Sequence, residues 1–173
     1  MAMHTWFECK IRYEKTMENG MNKKVTEPYL VDALSFTEAE ARIIEEMTPF
    51  ISGEFTVADI KRANYSELFP SEEDAADRWF KCKLFFITLD EKSGAEKKTS
   101  TTVLVQASDL RDAVKKLDEG MKGTMADYVI ASVAETAIMD VYPYSAEEQP
   151  SDTINENANS PVVKNFIQSL PEG

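Results

Sequence analysis

The chain is short of the residue types that most metal and covalent catalysis needs. It has one histidine, His4, and two cysteines, Cys9 and Cys82, among 173 residues. With no CxxC pair and no second histidine, the usual four-ligand zinc set cannot be assembled, so no metal is expected. Six glycines are scattered along the chain. None forms a glycine-rich turn ahead of a helix, which a phosphate loop or a dinucleotide fingerprint requires. "GMKGTMADY" carries two glycines and a lysine behind a helix and reads as a helix stop. No nucleophile elbow and no acid and base pair stands out, so no catalysis and no cofactor is expected. Long apolar runs are missing too: none approaches the roughly 20 residues that span a bilayer, and no membrane partner is expected. The opening "MAMHTWFECK" lacks the basic and apolar regions of a secretory leader. A cytoplasmic location with reduced thiols is the expectation.

Positive charge is the next scarcity, with 19 Lys and Arg against 31 Asp and Glu, a net of −12. The deficit is local. The stretch "PSEEDAADR" at 70–78 carries one base against four acids, and residues 143–173 carry one against five. The intervening segments are closer to balance, at 8 against 12 for 1–69 and 9 against 10 for 79–142. Binding of duplex DNA by the whole surface is disfavoured, because non-specific affinity comes from cations that neutralise phosphates.

What the chain does have is a repeated opening, "WFECKIRYEKTMENGMNKK" from Trp6 and "WFKCKLFFITLDEKSGAEKK" from Trp79. Trp6, Phe7, Cys9 and Lys10 match Trp79, Phe80, Cys82 and Lys83 at an offset of 73. From Gly20 and Gly94 the offset is 74, one residue having entered a hairpin loop, and it carries Leu30, Val31 and Ala33 onto Leu104, Val105 and Ala107. "IKRANYSELF" and "VAETAIMDVY" return to 73. The pattern predicts an internal duplication over residues 5–142.

Each copy reads in the same order. Phe7, Cys9, Ile11 and Tyr13 alternate with polar residues, the period of a strand with one buried face. "ENGMNKK" turns the chain, and Tyr29, Val31 and Ala33 continue the core face on a returning strand. Ser35 with Glu38 three residues on is a capping-box pattern, followed by a helix over about 36–48. "EFTVADIKRANYSELF" is read as one half-exposed strand, bent or bulged. The second copy repeats this with Phe80, Cys82, Leu84 and Phe86, then Val103 and Val105, a helix capped by Asp109, and "YVIASVAETAIMDVY". One such ββαβ unit is too small to bury its apolar face alone. The fold class is therefore α+β: a tandem of two ββαβ units making one pseudo-twofold domain, antiparallel-rich, with helices on one face of the sheet or sheets. The order is a first repeat at 1–69, an acidic linker at 70–78, a second repeat at 79–142 and an acidic tail at 143–173. Whether the strands join in one sheet or two stays open.

The tail "SAEEQPSDTINENANS" has the composition of a flexible linker, and its end places Val162, Val163, Phe166, Ile167 and Leu170 at helical spacing. Val163, Phe166, Ile167 and Leu170 are candidates for docking, on the protein's own core or on a partner.

The strings "TWFECKIRYEKT", "KKVTEPYLVDALSFTEAEARIIEEM" and "KGTMADY" resemble a domain of unknown function found in gut Bacteroidales and in their phages and mobile elements, over about residues 4–142. The resemblance implies an intracellular bacterial or phage setting and brings no catalytic residues.

Cys9 and Cys82 occupy equivalent core positions and read as small hydrophobes. Glu38, Glu40, Glu45 and Glu46 read as a cap and a solvated helix face. The candidate binding face lies on the other side of the first strands, where Trp6, Lys10 and Arg12 in one copy and Trp79, Lys81 and Lys83 in the other set an aromatic beside cations. Such a face suits single-stranded nucleic acid. The bland alternative packs Trp6, Leu30, Trp79 and Leu104 together as the seam between copies, with the lysines at its rim. The reading adopted is a non-enzymatic adaptor with a protein partner; a single-stranded nucleic acid or nucleotide is the rival partner.

Overall fold

Alternation decides the first element: Phe7, Cys9 and Ile11 are fully buried, while Glu8, Lys10 and Arg12, each following one of them, stay at least partly open to solvent. The structure is a computed structural model that describes residues 5–144. Strand β1 (Thr5–Thr16) turns back as β2 (Asn22–Ala33), pairing Thr5 with Ala33 and Thr16 with Asn22. Gly20 closes the hairpin at a φ of 83°, a conformation that costs a glycine little. Helix α1 (Phe36–Met47) starts where Ser35, extended, accepts a hydrogen bond from the Glu38 N–H at 3.1 Å. The Glu38 carboxylate in turn accepts from the backbone N–H of Leu34 at 2.6 Å. This is the capping box with its return bond moved one residue outward. Strand β3 (Phe55–Ala63) then pairs antiparallel with β1. After a step at residues 64–66 comes the short strand β4 (Glu67–Phe69).

The second half repeats this with β5 (Arg78–Leu89), β6 (Glu96–Ala107), α2 (Leu110–Gly120), β7 (Asp127–Glu135) and the two-residue β8 (Val141–Tyr142). Correspondence reaches fine detail. Asp109 caps α2 by accepting from the Asp112 N–H at 2.8 Å, and the Asp112 carboxylate accepts from the Ser108 N–H at 3.0 Å, the outward return bond again. The β1/β3 ladder slips between Lys10 and Ile11, passing over Ala58, and the β5/β7 ladder slips between Lys83 and Leu84, passing over Ala131. One compact unit runs to Val141 and contains both halves.

The sequence reads residues 54–69 as a single strand, bent or bulged. The structure breaks it, because its last three residues leave for the other sheet. Strand β4 pairs parallel with β6, Leu68 opposite Leu104, and β8 lies beside β2. Ser66 N–H donates to the Thr102 carbonyl at 2.8 Å, and Met139 N–H donates to that of Pro28 at 2.9 Å. The exchange is reciprocal and gives two four-stranded sheets, in the orders β3-β1-β2-β8 and β4-β6-β5-β7.

Each helix covers one face of its own sheet. On α1 the residues Ala39, Ile43 and Met47 are buried. On α2, Ala113 and Leu117 pack with Phe80, Cys82, Leu84, Val103 and Val105. The faces turned away from the helices, called inner faces below, meet at a separate cluster of Leu30, Trp79, Leu104 and Ile138. The linker read as 70–78 gives up Arg78 to β5 and is anchored. Lys116 of α2 places its ammonium 3.0 Å from Ser71 Oγ, from Glu73 Oε1 and from Asp112 Oδ2, and Ala76 is buried. Part of the linker's negative charge therefore ties the crossover to the second helix. Among the described residues no helix is long and apolar enough to cross a membrane.

Gly120 shows how closely the exchanged strand is held. A Cβ at this position would lie 2.9 Å from Cδ1 and Cε1 of the Phe69 ring. Gly120→Ala is expected to lower stability by about 1 to 3 kcal/mol through overpacking, outweighing the roughly 1 kcal/mol that alanine gains in a helix. Urea titration checks this, and Phe69→Leu added to Gly120→Ala should recover part of the loss. An unchanged midpoint would show that Phe69 is free to move aside.

Candidate functional site

The residues singled out for binding divide into two environments. Trp79 is 4% exposed and packs against Leu30, Leu104 and Ile138, with Trp6, Ala63, Tyr65, Leu68 and Val141 around them. Trp6 is half-buried in the same cluster. The structure thus brings the two tryptophans together between the sheets, where the Trp79 indole has no open face for a base. Lys10 is half-buried, while Arg12, Lys81 and Lys83 are exposed. Val163, Phe166, Ile167 and Leu170 of the tail lie outside the described residues.

Further along the inner face of the second sheet is a surface that the sequence reading missed. Phe85, Ile87 and Leu89 alternate on β5, and Val129 sits opposite Phe85 on β7. Leu89 is 68% and Val129 44% exposed, with Phe85 and Ile87 half-buried. The Lys83 ammonium stands 5.5 Å from the centre of the Phe85 ring, within cation–π range. The signal was the run "LFFITL" in "KCKLFFITLDEK": with apolar residues at consecutive positions, both faces of the strand are apolar. Leu84 and Phe86 serve the core under α2. In the first half the corresponding inner-face residues are Arg12, Glu14 and Thr16, all exposed and polar.

Arg12 borders an open cleft of about 580 Å³ at the hairpin end of the first sheet, together with Glu14, Lys24 and Glu54. Lys24 is the cross-strand neighbour of Glu14. Two cations and two carboxylates leave this cleft without a field of one sign, and its lining offers an ionic ligand no net attraction.

Both thiols are buried and free. Burial pushes the Cys9 thiol up to about 12, with the carboxylates of Glu8 and Asp59 adding to the shift, and pushes Cys82 to about 11. At neutral pH they are protonated and poor nucleophiles. Among the described residues no group of His, Cys, Asp and Glu side chains is placed to hold a metal ion.

The fold and its inner faces define an α+β protein of two four-stranded sheets joined by exchanged strands. Residues 5–144 match the family described as Domain of unknown function (DUF4494), and the chain belongs to that family. No curated protein matches the chain.

Two measurements follow from these environments. Trp79→Ala should cost about 3 to 5 kcal/mol, as for a buried tryptophan; a denaturation midpoint equal to the parent's would place the ring in solvent. The thiols give a pH dependence of known sign. Their folded-state values lie above the ordinary value near 9, so the unfolded chain releases protons that the folded chain retains. The stabilising term is complete below about pH 8.5 and is lost as pH rises toward 11 to 12. Urea midpoints should fall above pH 9, and a Cys9→Ala, Cys82→Ala double variant should show a shallower fall.

Proposed function

We propose that the protein is a non-enzymatic binding or adaptor protein that acts through contacts with another protein. The observation that supports this reading is the apolar stretch on the inner face of the second sheet, where Leu89 and Val129 are exposed beside half-buried Phe85 and Ile87. Contiguous exposed apolar surface of this kind marks an interaction site more often than a solvated face. Its absence from the first half, which carries Arg12, Glu14 and Thr16 instead, shows that the fold does not require it. A net charge of −12 and a buried Trp79 weigh against nucleic acid. A second reading, binding of single-stranded nucleic acid or a nucleotide, keeps one observation: Lys83 over Phe85 is an aromatic beside a cation, the pairing that stacks a base and holds its phosphate.

The matched bulges, caps and exchange hydrogen bonds support reading the two halves as an internal duplication. The resemblance to sequences of gut Bacteroidales and their phages and mobile elements supports a cytoplasmic role inside a bacterium, encoded by the cell or by such an element.

Affinity capture with the tagged full chain from a bacterial host lysate, with and without nuclease and at low and raised salt, tests the reading. Partner proteins should survive nuclease and salt, and should be lost from an Ile87→Thr, Leu89→Ser variant that melts like the parent. Capture abolished by nuclease, and weakened steeply by salt, would move the nucleic-acid reading ahead.

A further inference from the structure

Resting on that reading, we infer that the free edge of β7 is the docking site for an extended segment of a partner protein that carries apolar residues in its middle and Lys or Arg at its ends.

The two sheets end in edges of similar build. Strands β3 and β7 are both nine residues long, both end a sheet, and both carry a bulge at an equivalent alanine. Among the described residues neither has a strand beyond it. An unpaired edge invites another strand, and proteins commonly blunt it with charges and bulges. Strand β3, "FTVADIKRA", has both devices, with Asp59, Lys61 and Arg62 in its length. Strand β7, "DYVIASVAE", keeps the bulge and, in Glu135, a charge where β3 has Arg62, but has no charged residue between its two ends, Asp127 and Glu135. At positions equivalent to Asp59 and Lys61 it has Ser132 and Ala134, both exposed. Added main-chain hydrogen bonds would supply affinity here, and alternate side chains specificity.

Charge selects the occupant. Asp127 and Glu135 bracket the strand, and Asp118 of α2 reaches its near end, accepting a hydrogen bond from Tyr128 Oη at 3.4 Å. Arg78 answers Glu135 at 3.7 Å, so the far end is partly neutralised while the near end stays acidic. A second copy of this chain fits less well. Antiparallel self-pairing of the full strand about Ala131 would set Asp127 against Glu135 of the other copy, and like charges directly opposite are destabilising. A basic-ended strand meets both acids favourably, and its apolar middle lies beside Val129 and Ile130.

The probe is a labelled synthetic peptide of alternating valine and threonine with lysine at both ends, compared with a twin ended by glutamate. Binding to the full chain is followed by anisotropy, and amide hydrogen exchange locates it. The lysine-ended peptide should bind about tenfold more tightly than its twin and slow exchange in β7 but not in β3. Ser132→Asp with Ala134→Lys transplants the charges of β3 without changing net charge. This variant should melt like the parent and lose the peptide. Equal binding of the two peptides, protection of β3 instead, binding unaffected by the transplant, or no binding at all would each overturn the inference. A concentration-dependent dimer that the transplant abolishes would also overturn it, by assigning the edge to a second copy. Because the substitutions at Ile87 and Leu89 leave β7 untouched, failure of the peptide leaves the broader reading to its own capture experiment, and failure of capture leaves the peptide result standing.

Discussion

The structure depends on a trade of strands between its halves. A three-stranded sheet with one helix has one edge too many and one face uncovered, and a unit of about 70 residues has little core to spare. Strand β4 fills the edge beside β6 while β8 lies beside β2, and residues in and just before them, Tyr65 and Leu68 on one side and Ile138 and Val141 on the other, close over the seam of Leu30, Leu104 and Trp79. Edge pairing and face burial are thus accomplished by the same two segments. Phe69 against Gly120 extends the trade to the helix layer, since the ring of one half occupies space that a side chain of the other would need.

Much of this was legible in the residues, and the part that was not has a physical reason. Strand alternation, hairpin turns and helix caps are local, so "WFECKIRY" and "SFTEAEAR" announce their elements directly. The 73 and 74 offsets gave equivalences that the bulges at Ala58 and Ala131 repeat. The exchange was hidden because β4 has three residues and β8 two, too few for a period, and because their partners lie far away in sequence. The linker was legible as acidic but not as anchored, since Glu73 and its partner Lys116 are 43 residues apart in sequence. At the candidate site, Trp6 and Trp79 were correctly placed on one face each, but a face does not say what covers it. Phe85 and Ile87 hide in the sequence because they alternate with Leu84 and Phe86, and four consecutive apolar residues look like core.

The differences between the halves carry the functional argument. Where they agree, as at Cys9 and Cys82 or at the two helix caps, the residues serve a fold needed twice. On two of its strands the second half is the more apolar: Phe85, Ile87 and Leu89 stand where the first has Arg12, Glu14 and Thr16, and Ser132 and Ala134 stand where it has Asp59 and Lys61. These changes are grouped on β5 and β7, adjacent strands of one sheet. The first half keeps its charges, and its cleft at Arg12 remains balanced between cations and carboxylates.

The exchanged strands also differ in what they cost to dock. The contact from Ser66 to Thr102 closes a loop of 36 residues, whereas that from Met139 to Pro28 spans most of the described chain. Closing the longer loop carries the larger entropy cost while both hairpins are still independent, and that cost shrinks once β4 has drawn the halves together. On loop-closure entropy, strand β8 is therefore the costlier of the two to dock, and it has only two residues to hold it. Its release leaves one edge of β2 open while the second sheet stays complete, so a partly opened molecule would expose the first half rather than the second.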